Sequence, residues 1–261
     1  MIVHNFDPII IDFGMIQIRW YSLAYIFGIL IGWWYGRLVL KRKFLDTSQN
    51  IYLKNFDDLI GYIIIGIIIG GRLGYITFYN LDYYINNSSE IFKLWKGGMS
   101  FHGGLVGVIL ATYIFSKLKK LNFKIYLDAI SCVAPIGIFL GRVANFINSE
   151  LYGAPTDKFW GVIFSKIDDV PRHPSQIYEA LSEGLFLFII LNSILLMKKI
   201  KHGTLAYLFL IFYGTFRIIS EQFRVPDEQI GYVIANLSMG SLLSAVMMVL
   251  GIFLIIKDFK K

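Results

Sequence analysis

The sequence predicts an all-α, polytopic integral membrane protein built as a seven-transmembrane-helix bundle, and three observations predict it. Hydrophobic residues make up 56% of the 261 residues and charged residues only 16%, whereas an average soluble domain is roughly one quarter charged. The mean hydropathy is positive, at +0.60. Several apolar stretches reach the length of about 20 residues that a helix needs to cross a hydrocarbon core. Because lipid offers backbone groups no hydrogen bonds, helices are predicted for these stretches.

Seven spans follow from the positions of the apolar stretches. They are predicted at 17–39, 58–79, 102–116, 126–147, 175–197, 204–223 and 234–256. The third is the shortest. The two longest polar connectors, 80–100 and 148–174, fall on the same side of an alternating topology. No linker or low-complexity tract interrupts the pattern, so residues 1–261 are predicted to form a single membrane-embedded domain.

Basic residues predict the orientation of the bundle. The connectors that follow the first, third, fifth and seventh spans share one side and hold 15 of the 25 lysines and arginines. By the positive-inside rule that side is cytoplasmic, which places the N-terminus outside and the C-terminus in the cytoplasm. The first 16 residues lack a basic n-region, so the first span is expected to serve as its own signal. The net charge of +7 then indicates topology and contact with anionic membrane lipids, with no nucleic acid as a partner.

Small residues along the spans predict packing rather than chemistry. Glycines at four-residue spacing favour close helix contact. These series are Gly28, Gly32 and Gly36; Gly66, Gly70 and Gly74; Gly103 and Gly107; Gly137 and Gly141. Cys132, the one cysteine, lies within the fourth span and is interpreted as buried filler. With only four scattered histidines, neither a metal site nor a cofactor is predicted.

Two spans carry ionisable residues that need a partner or a function, since each costs roughly 2.5–3.5 kcal/mol near the bilayer centre. Arg142 and Asn145 share one face of the fourth span, and Ser149 is predicted to continue that face into a common cavity beside Asn148. The sixth span carries a polar stripe spaced by four, four and three residues, and Pro226 is expected to end its helix. The stripe consists of Tyr213, Arg217, Glu221 and Arg224. Two arginines around one glutamate leave a positive charge, which favours an anionic ligand.

Three further spans bring polar groups to the same outer side. His102 begins the third span, and Tyr21 and Tyr25 begin the first. Glu179 of the fifth span is expected to meet Arg142 or Arg217 across the bundle. Arginine suits phosphate because it donates two parallel hydrogen bonds. The cluster therefore predicts that Arg142 holds the phosphate of a phospholipid near the outer leaflet.

Four stretches of the chain resemble the family of prolipoprotein diacylglyceryl transferases. They are FHGGLVG at 101–107, GRVANFINSELYG at 141–153, RHPSQIYE at 172–179 and YGTFRIISEQFRVPD at 213–227. The similarity extends from WYSLAY at 20–25 through SMGSLLS at 238–244, which is nearly the whole chain. Ala144 and Ser149 depart from the pattern, since many members have glycine at both positions.

The resemblance implies a multi-pass enzyme of the bacterial cytoplasmic (inner) membrane whose active site faces the outer leaflet. It would transfer the diacylglyceryl group of phosphatidylglycerol to the thiol of the lipobox cysteine in a preprolipoprotein signal peptide, releasing glycerol phosphate, as the first step of lipoprotein maturation. In such enzymes one set of positions is associated with activity. These positions correspond to Tyr21, His102, Arg142, Asn145, Gly153, Arg217 and Glu221.

The implied chemistry gives each of these residues an expected role. The phosphodiester gains negative charge as it becomes a leaving monoester, so preorganised arginines bind the transition state better than the ground state. Arg142 and Arg217 are expected to clamp the phosphate, Asn145 and Asn148 to orient it, and Glu221 to position an arginine.

The nucleophile is the substrate thiol, which must lose a proton. His102 is the proposed base, because an ordinary histidine pKa of about 6.5 suits that role, and Glu221 is its rival. The loop with Gly153 is expected to shape the peptide entrance. The remaining residues assigned to substrate binding are His173, Tyr213 and Arg224. A lipid or anion transporter is the alternative function, and it would require polar groups continuing to the cytoplasmic side.

Overall fold

The computed structural model describes residues 2–14, 17–43, 49–197, 200–226, 230–234 and 237–260. Within these ranges seven helices are long and apolar enough to cross a membrane, which confirms the predicted number of spans. The first half contains α1 (Trp20–Lys43), α2 (Gln49–Tyr79), the short α3 (Leu81–Asn86), α4 (Phe101–Leu118) and α5 (Phe123–Ile147). The second half contains α6 (Ser175–Glu179), α7 (Leu187–Leu195), α8 (Thr204–Glu221) and α9 (Met239–Phe259).

The fifth span is one continuous helix with a change of pitch. A π-helical segment, Ala180–Phe186, joins α6 to α7 without a break. Such segments occur mostly as single turns inside α-helices and are frequent at functional sites. The segment carries Glu183, whose side chain is fully buried.

Several predicted bounds were wrong, each for a physical reason. Residues 17–19 form a strand, and α1 begins only at Trp20. Helix α2 begins at Gln49, well before the predicted bound at 58. The prediction followed the apolar stretch, and the first turns of this helix are polar. Helix α8 ends at Glu221, before the predicted bound at 223 and before Pro226. Helix α9 begins at Met239, where the Ser238 hydroxyl accepts from the Ser241 N–H as an N-cap.

Short strands occupy the segments outside the long helices, a feature that the all-α prediction did not include. Strand β1 (Ile2–His4) pairs in parallel with β4 (Val162–Phe164), and β4 pairs antiparallel with β5 (Pro171–Arg172). Two antiparallel pairs precede α1 and α9; they are β2 (Ile9–Asp12) with β3 (Gln17–Arg19), and β6 (Tyr232–Ile234) with β7 (Leu237–Ser238). The β1–β4–β5 sheet therefore ties the N-terminal segment to the connector 148–174.

The connector 80–100 is fastened by Arg72, a buried residue of α2 that the sequence analysis did not single out. Its guanidinium donates to the carbonyls of Glu90 at 2.6 Å, Ile91 at 2.9 Å and Gly97 at 2.5 Å. It also lies over the Tyr84 ring, 5.0 Å from the centroid. These contacts compensate the buried charge and hold the chain that leads into α4.

Glycine faces bring helices together, as predicted. Gly66, Gly70 and Gly74 of α2 pack against Gly103 and Gly107 of α4. A Cβ at Gly107 would lie only 1.9 Å from the Gly66 carbonyl oxygen. A Cβ at Gly137 or at Gly141 would meet nothing within 4 Å, and both residues line a cavity. Gly28 of α1 still approaches Gly137, since a Cβ on Gly28 would lie 3.3 Å from the Gly137 Cα, so the packing prediction was wrong only for Gly141.

Replacing Gly107 by alanine should therefore lower stability by about 1–3 kcal/mol, because α2 and α4 must move apart to admit the methyl group. Gly104→Ala is the matched control, since its Cβ would come no closer than 3.9 Å to a neighbouring atom. Thermal unfolding of the purified protein in detergent measures the difference. Equal midpoints for the two variants would contradict the packing account.

The end of the bundle away from the long connectors carries a buried carboxylate as well as lysines. Asp128 of α5 is fully buried, and its carboxylate accepts from the backbone N–H groups of Gly203 at 2.7 Å and Ala206 at 3.1 Å. It thus satisfies N–H groups at the start of α8. Cys132, one turn further along α5, is buried in the hydrophobic core as predicted.

Candidate active site

One end of the bundle holds a cavity of about 440 Å³, the arginine cavity, which is lined by Arg142, Arg217 and Arg224 among other residues. Helices α2, α4, α5, α8 and α9 contribute to its walls, together with connector residues such as Met99, Leu151 and Val225. The structure brings five of the predicted site residues to these walls. They are His102, Arg142, Tyr213, Arg217 and Arg224.

Arg142 and Arg217 come from two different helices and meet at a buried carboxylate. Arg142 Nη1 lies 2.8 Å from one oxygen of Glu179, and Arg217 Nη1 lies 3.1 Å from the other. The Glu179 side chain is fully buried, while the two arginine side chains are only 13% and 7% exposed. The expected contact between Glu179 and an arginine is therefore confirmed, and it involves both arginines.

Further carboxylates complete the cluster. Glu183 lies 3.3 Å from Arg142 and 3.6 Å from Arg217. Glu221 contacts Arg217 closely and Arg224 at 3.3 Å. Three guanidinium groups thus meet three carboxylates among the described side chains. The predicted excess of positive charge was wrong, because Glu179 and Glu183 join Glu221 opposite the arginines. What favours an anionic ligand is geometric, because the arginines line the cavity and Glu179, Glu183 and Glu221 do not.

Glu221 is held from both sides. The Ser238 hydroxyl donates to Glu221 Oε2 at 2.8 Å, while Oε1 faces Arg217 and Arg224. Gly240 leaves room for this carboxylate, since a Cβ there would lie 2.9 Å from Oε1. With both oxygens engaged, Glu221 is placed to orient arginine side chains.

His102 lies at the N-terminal end of α4, where Ser100 caps the helix by accepting from the Gly103 N–H. Its Nε2 is 3.1 Å from the hydroxyl of Ser244 on α9. Neighbouring Phe101 stacks on Tyr213, with the ring centroids 4.4 Å apart. These contacts hold the imidazole at the wall of the arginine cavity.

Asn145 and Asn148 both donate to one carboxylate, that of Glu150. The distances are 3.2 Å from Asn145 and 3.3 Å from Asn148. Ser149 does not continue their face, because the helix has ended and its hydroxyl lies 3.2 Å from His4 Nδ1. The φ of Ser149 is 57°, in the left-handed region that favours glycine, which fits the glycine expected there in related sequences.

A second, mostly apolar cavity of about 820 Å³ lies between the helices. Tyr21 and Tyr25 line it together with Arg142 and Asn145. Their hydroxyl groups are 3.3 Å apart. Arg142 lines both cavities. The structure thus places Tyr21 on the wall of the apolar cavity, which Arg142 also lines, rather than among the residues that line the arginine cavity.

Gly153 and His173 belong to the backbone junction between the connector 148–174 and the end of α8. The Gly153 N–H donates to the His173 carbonyl at 3.0 Å, and Gly153 forms a bridge with Arg224. The His173 ring packs on Phe223 and lies 3.1 Å from the Tyr178 hydroxyl. Burial lowers the pKa of His173 below 6.5, and Lys158 adds to the effect, so the ring is neutral at pH 7. Neither residue lines the arginine cavity.

Gly153→Ala should destabilise this junction by about 1–3 kcal/mol, because neighbouring backbone must shift to admit the side chain. Its Cβ would lie 2.3 Å from the His173 carbonyl oxygen and 2.6 Å from that of Phe223. Limited proteolysis within 148–174, together with thermal unfolding, measures the effect. Gly61→Ala is the control, since a Cβ there meets nothing within 4 Å. Protease resistance equal to that of the control would show that the close fit does not matter.

Comparison with known proteins identifies the family. The family model for prolipoprotein diacylglyceryl transferase matches residues 8–257. The chain belongs to this family. A phosphatidylglycerol–prolipoprotein diacylglyceryl transferase from Rickettsia felis is 48% identical over 98% of both chains. Another transferase of that name, from Rickettsia bellii, is 51% identical over 97% of this chain and 95% of its own. One from Rhodopseudomonas palustris is 47% identical over 98% and 91%.

Several contacts in this member of the transferase family could not be inferred from the sequence. Glu150 joins Asn145 to Asn148, Ser238 holds Glu221, and Ser244 holds His102. Glu150 carried a usable signal, since it follows the two asparagines within the motif at 141–153. The serines carried none, because their partners lie on other segments and depend on how the helices are rotated.

Proposed function

We propose that this protein transfers the diacylglyceryl group of phosphatidylglycerol to the thiol of the lipobox cysteine in a prolipoprotein, releasing glycerol phosphate. The observation that carries the proposal is the convergence of Arg142 and Arg217, from α5 and α8, on one cavity that adjoins an apolar cavity at Arg142. Membership of the family, and the activity for which the relatives are named, support the same reaction.

The two cavities match the two halves of a phospholipid. The arginine cavity suits the phosphate, because guanidinium groups donate paired hydrogen bonds to its oxygens. The 820 Å³ cavity, walled by side chains such as Ile63, Val108 and Leu210, suits the acyl chains. Arg142 lies at the boundary of the two. The reacting glycerol carbon of the diacylglyceryl group would therefore lie close to this side chain.

The proposed step breaks a carbon–oxygen bond. The substrate thiolate attacks the glycerol carbon that carries the phosphate oxygen, a carbon–sulfur bond forms, and the phosphate leaves with the electron pair. Negative charge grows on the phosphate, where Arg142 and Arg217 stabilise it. His102 takes the thiol proton, since it lines the cavity while both Glu221 oxygens are engaged elsewhere.

The other site residues have supporting roles in this proposal. Asn145 lines the apolar cavity together with Arg142 and Tyr21, whereas Asn148 lines neither cavity and is linked to Asn145 through Glu150. Tyr213 and Arg224 line the arginine cavity. Gly153 and His173 act through the backbone junction rather than by direct contact with phosphate, which modifies the substrate-binding role expected for them.

We also infer the placement of the enzyme in the cell. The basic connectors favour the bacterial inner membrane with the site toward the outer leaflet, the N-terminus outside and the C-terminus in the cytoplasm. The cysteine to be modified follows a signal peptide, so it is presented on that outer side. The long connectors 80–100 and 148–174 surround the same end of the bundle.

Reconstitution tests the function against the transporter alternative. Purified protein in vesicles containing phosphatidylglycerol should attach a diacylglyceryl group to a lipobox peptide and release glycerol phosphate in equal amounts, as measured by mass spectrometry. A peptide with serine in place of the lipobox cysteine is the control. Movement of lipid between leaflets without either product would favour the transporter and exclude the transferase.

A further inference from the structure

Two buried carboxylates lie behind the arginines that line the arginine cavity. Arg142 and Arg217 reach its wall, while Glu179 and Glu183 line neither of the two cavities. Both glutamate side chains are fully buried. The arginines therefore lie between the space available to a ligand and the carboxylates that pair with them.

Each carboxylate bridges both arginines. Glu179 contacts Arg142 at 2.8 Å and Arg217 at 3.1 Å, and Glu183 contacts the same two groups at 3.3 Å and 3.6 Å. One glutamate would already hold two guanidinium groups in place. The second glutamate, Glu183, lies at longer distances and therefore constrains the arginine side chains less. Its main effect is to add negative charge.

The chain is built to keep both carboxylates at this place. Glu179 ends α6, and Glu183 lies in the π-helical segment that follows. Gly184 lets this segment approach α5 closely, since a Cβ there would lie 2.7 Å from Phe139 Cβ and 2.9 Å from its Cα. Because α5 also carries Arg142, this close approach brings the two glutamates to that arginine.

Buried negative charge lowers the affinity of the arginines for an anion. Arginines with no carboxylates behind them would bind the phosphate monoester product more tightly than the lipid substrate. Slow release of this product would then limit the rate of the next reaction cycle. A carboxylate pair behind the arginines weakens binding of the doubly charged product more than that of the singly charged lipid.

We propose that Glu179 and Glu183 are positioning residues that set the phosphate affinity of Arg142 and Arg217, so that the phosphate monoester product dissociates. The identity of that product rests on the function proposed above. The carboxylates act through the arginines and need not touch the lipid.

Glu183→Gln tests this inference, because its longer contacts leave the arginine geometry least disturbed. Binding of glycerol 1-phosphate to protein in nanodiscs should become about tenfold tighter, since a negative charge behind the arginines is lost. The KM for phosphatidylglycerol should fall, and kcat should fall severalfold as product release slows. A purely structural glutamate would instead weaken binding or leave it unchanged, and either result would overturn the proposal.

Two further measurements keep the test decisive. Glu179→Gln should shift binding in the same direction, and it replaces Glu183→Gln should that variant not fold. Asp57→Asn removes a carboxylate paired with Arg37 at an exposed site and should leave glycerol phosphate binding unchanged. The binding assay requires no turnover, so the effect of the glutamate charge on binding can be measured even in protein that is not a transferase. Failure of the wild-type protein to form the thioether would refute the transferase function alone.

Discussion

Arg142→Ala is expected to reduce thioether formation at least about 100-fold, which is the range seen when one preorganised donor to a developing negative charge is removed. The side chain lines both cavities and approaches Glu179 and Glu183 from α5. Its loss removes one of the two guanidinium groups that clamp the leaving phosphate. Turnover of phosphatidylglycerol and a lipobox peptide in vesicles measures the effect.

Lysine at position 142 separates charge from geometry. Arg142→Lys keeps a positive charge opposite the glutamates but lacks the planar fork that donates two parallel hydrogen bonds. We expect it to fold like the wild type and to lose roughly tenfold in kcat/KM. Arg37→Ala, which removes an arginine from an exposed pair with Asp57, should leave turnover unchanged. Near-normal turnover of Arg142→Ala would contradict the clamp.

His102→Ala is expected to reduce the rate at pH 7 by about 100-fold or more, the contribution typical of a positioned base. The defect should shrink as the pH rises from 7 to 9, because a thiol with an ordinary pKa of about 8.5 then ionises without a base. A pH series of kcat/KM for the variant and the wild type measures this recovery.

Glu221→Gln distinguishes the two candidate bases. Glu221 contacts Arg217, Arg224 and Ser238, so its loss should disturb the arginines and give a defect that persists at pH 9. Ser244→Ala removes the hydroxyl 3.1 Å from His102 Nε2 and should cause a smaller, pH-sensitive defect. Recovery at high pH in Glu221→Gln, with none in His102→Ala, would assign the base role to Glu221.

Much of the fold was predictable because lipid imposes a simple rule on sequence. Long apolar stretches have to be helical, so seven spans could be counted and the two long connectors located. The glycine series predicted which faces pack closely, as Gly107 against Gly66 shows. The predicted helix bounds were wrong where a helix continues into polar sequence, as at Gln49, or where a pair of strands such as β2 and β3 precedes the helix.

The residue types at the site were also predictable, but their pairing was not. Arginines inside spans require partners, and the four-residue spacing indicated that Arg217 and Glu221 share a face. Whether a second carboxylate such as Glu183 also reaches them depends on the pitch and rotation of another helix, which spacing does not determine. Ser149 shows the same limit, since the helix that would have carried it into the cavity ends at Ile147.

A structure of the protein with phosphatidylglycerol bound in a nanodisc would show which side chains hold the phosphate. We expect the phosphate to lie within about 3 Å of guanidinium nitrogens from both Arg142 and Arg217, with the acyl chains between the helices that line the apolar cavity. A phosphate bound by one of these arginines alone, or held at the opposite end of the bundle near Lys124, would contradict this expectation.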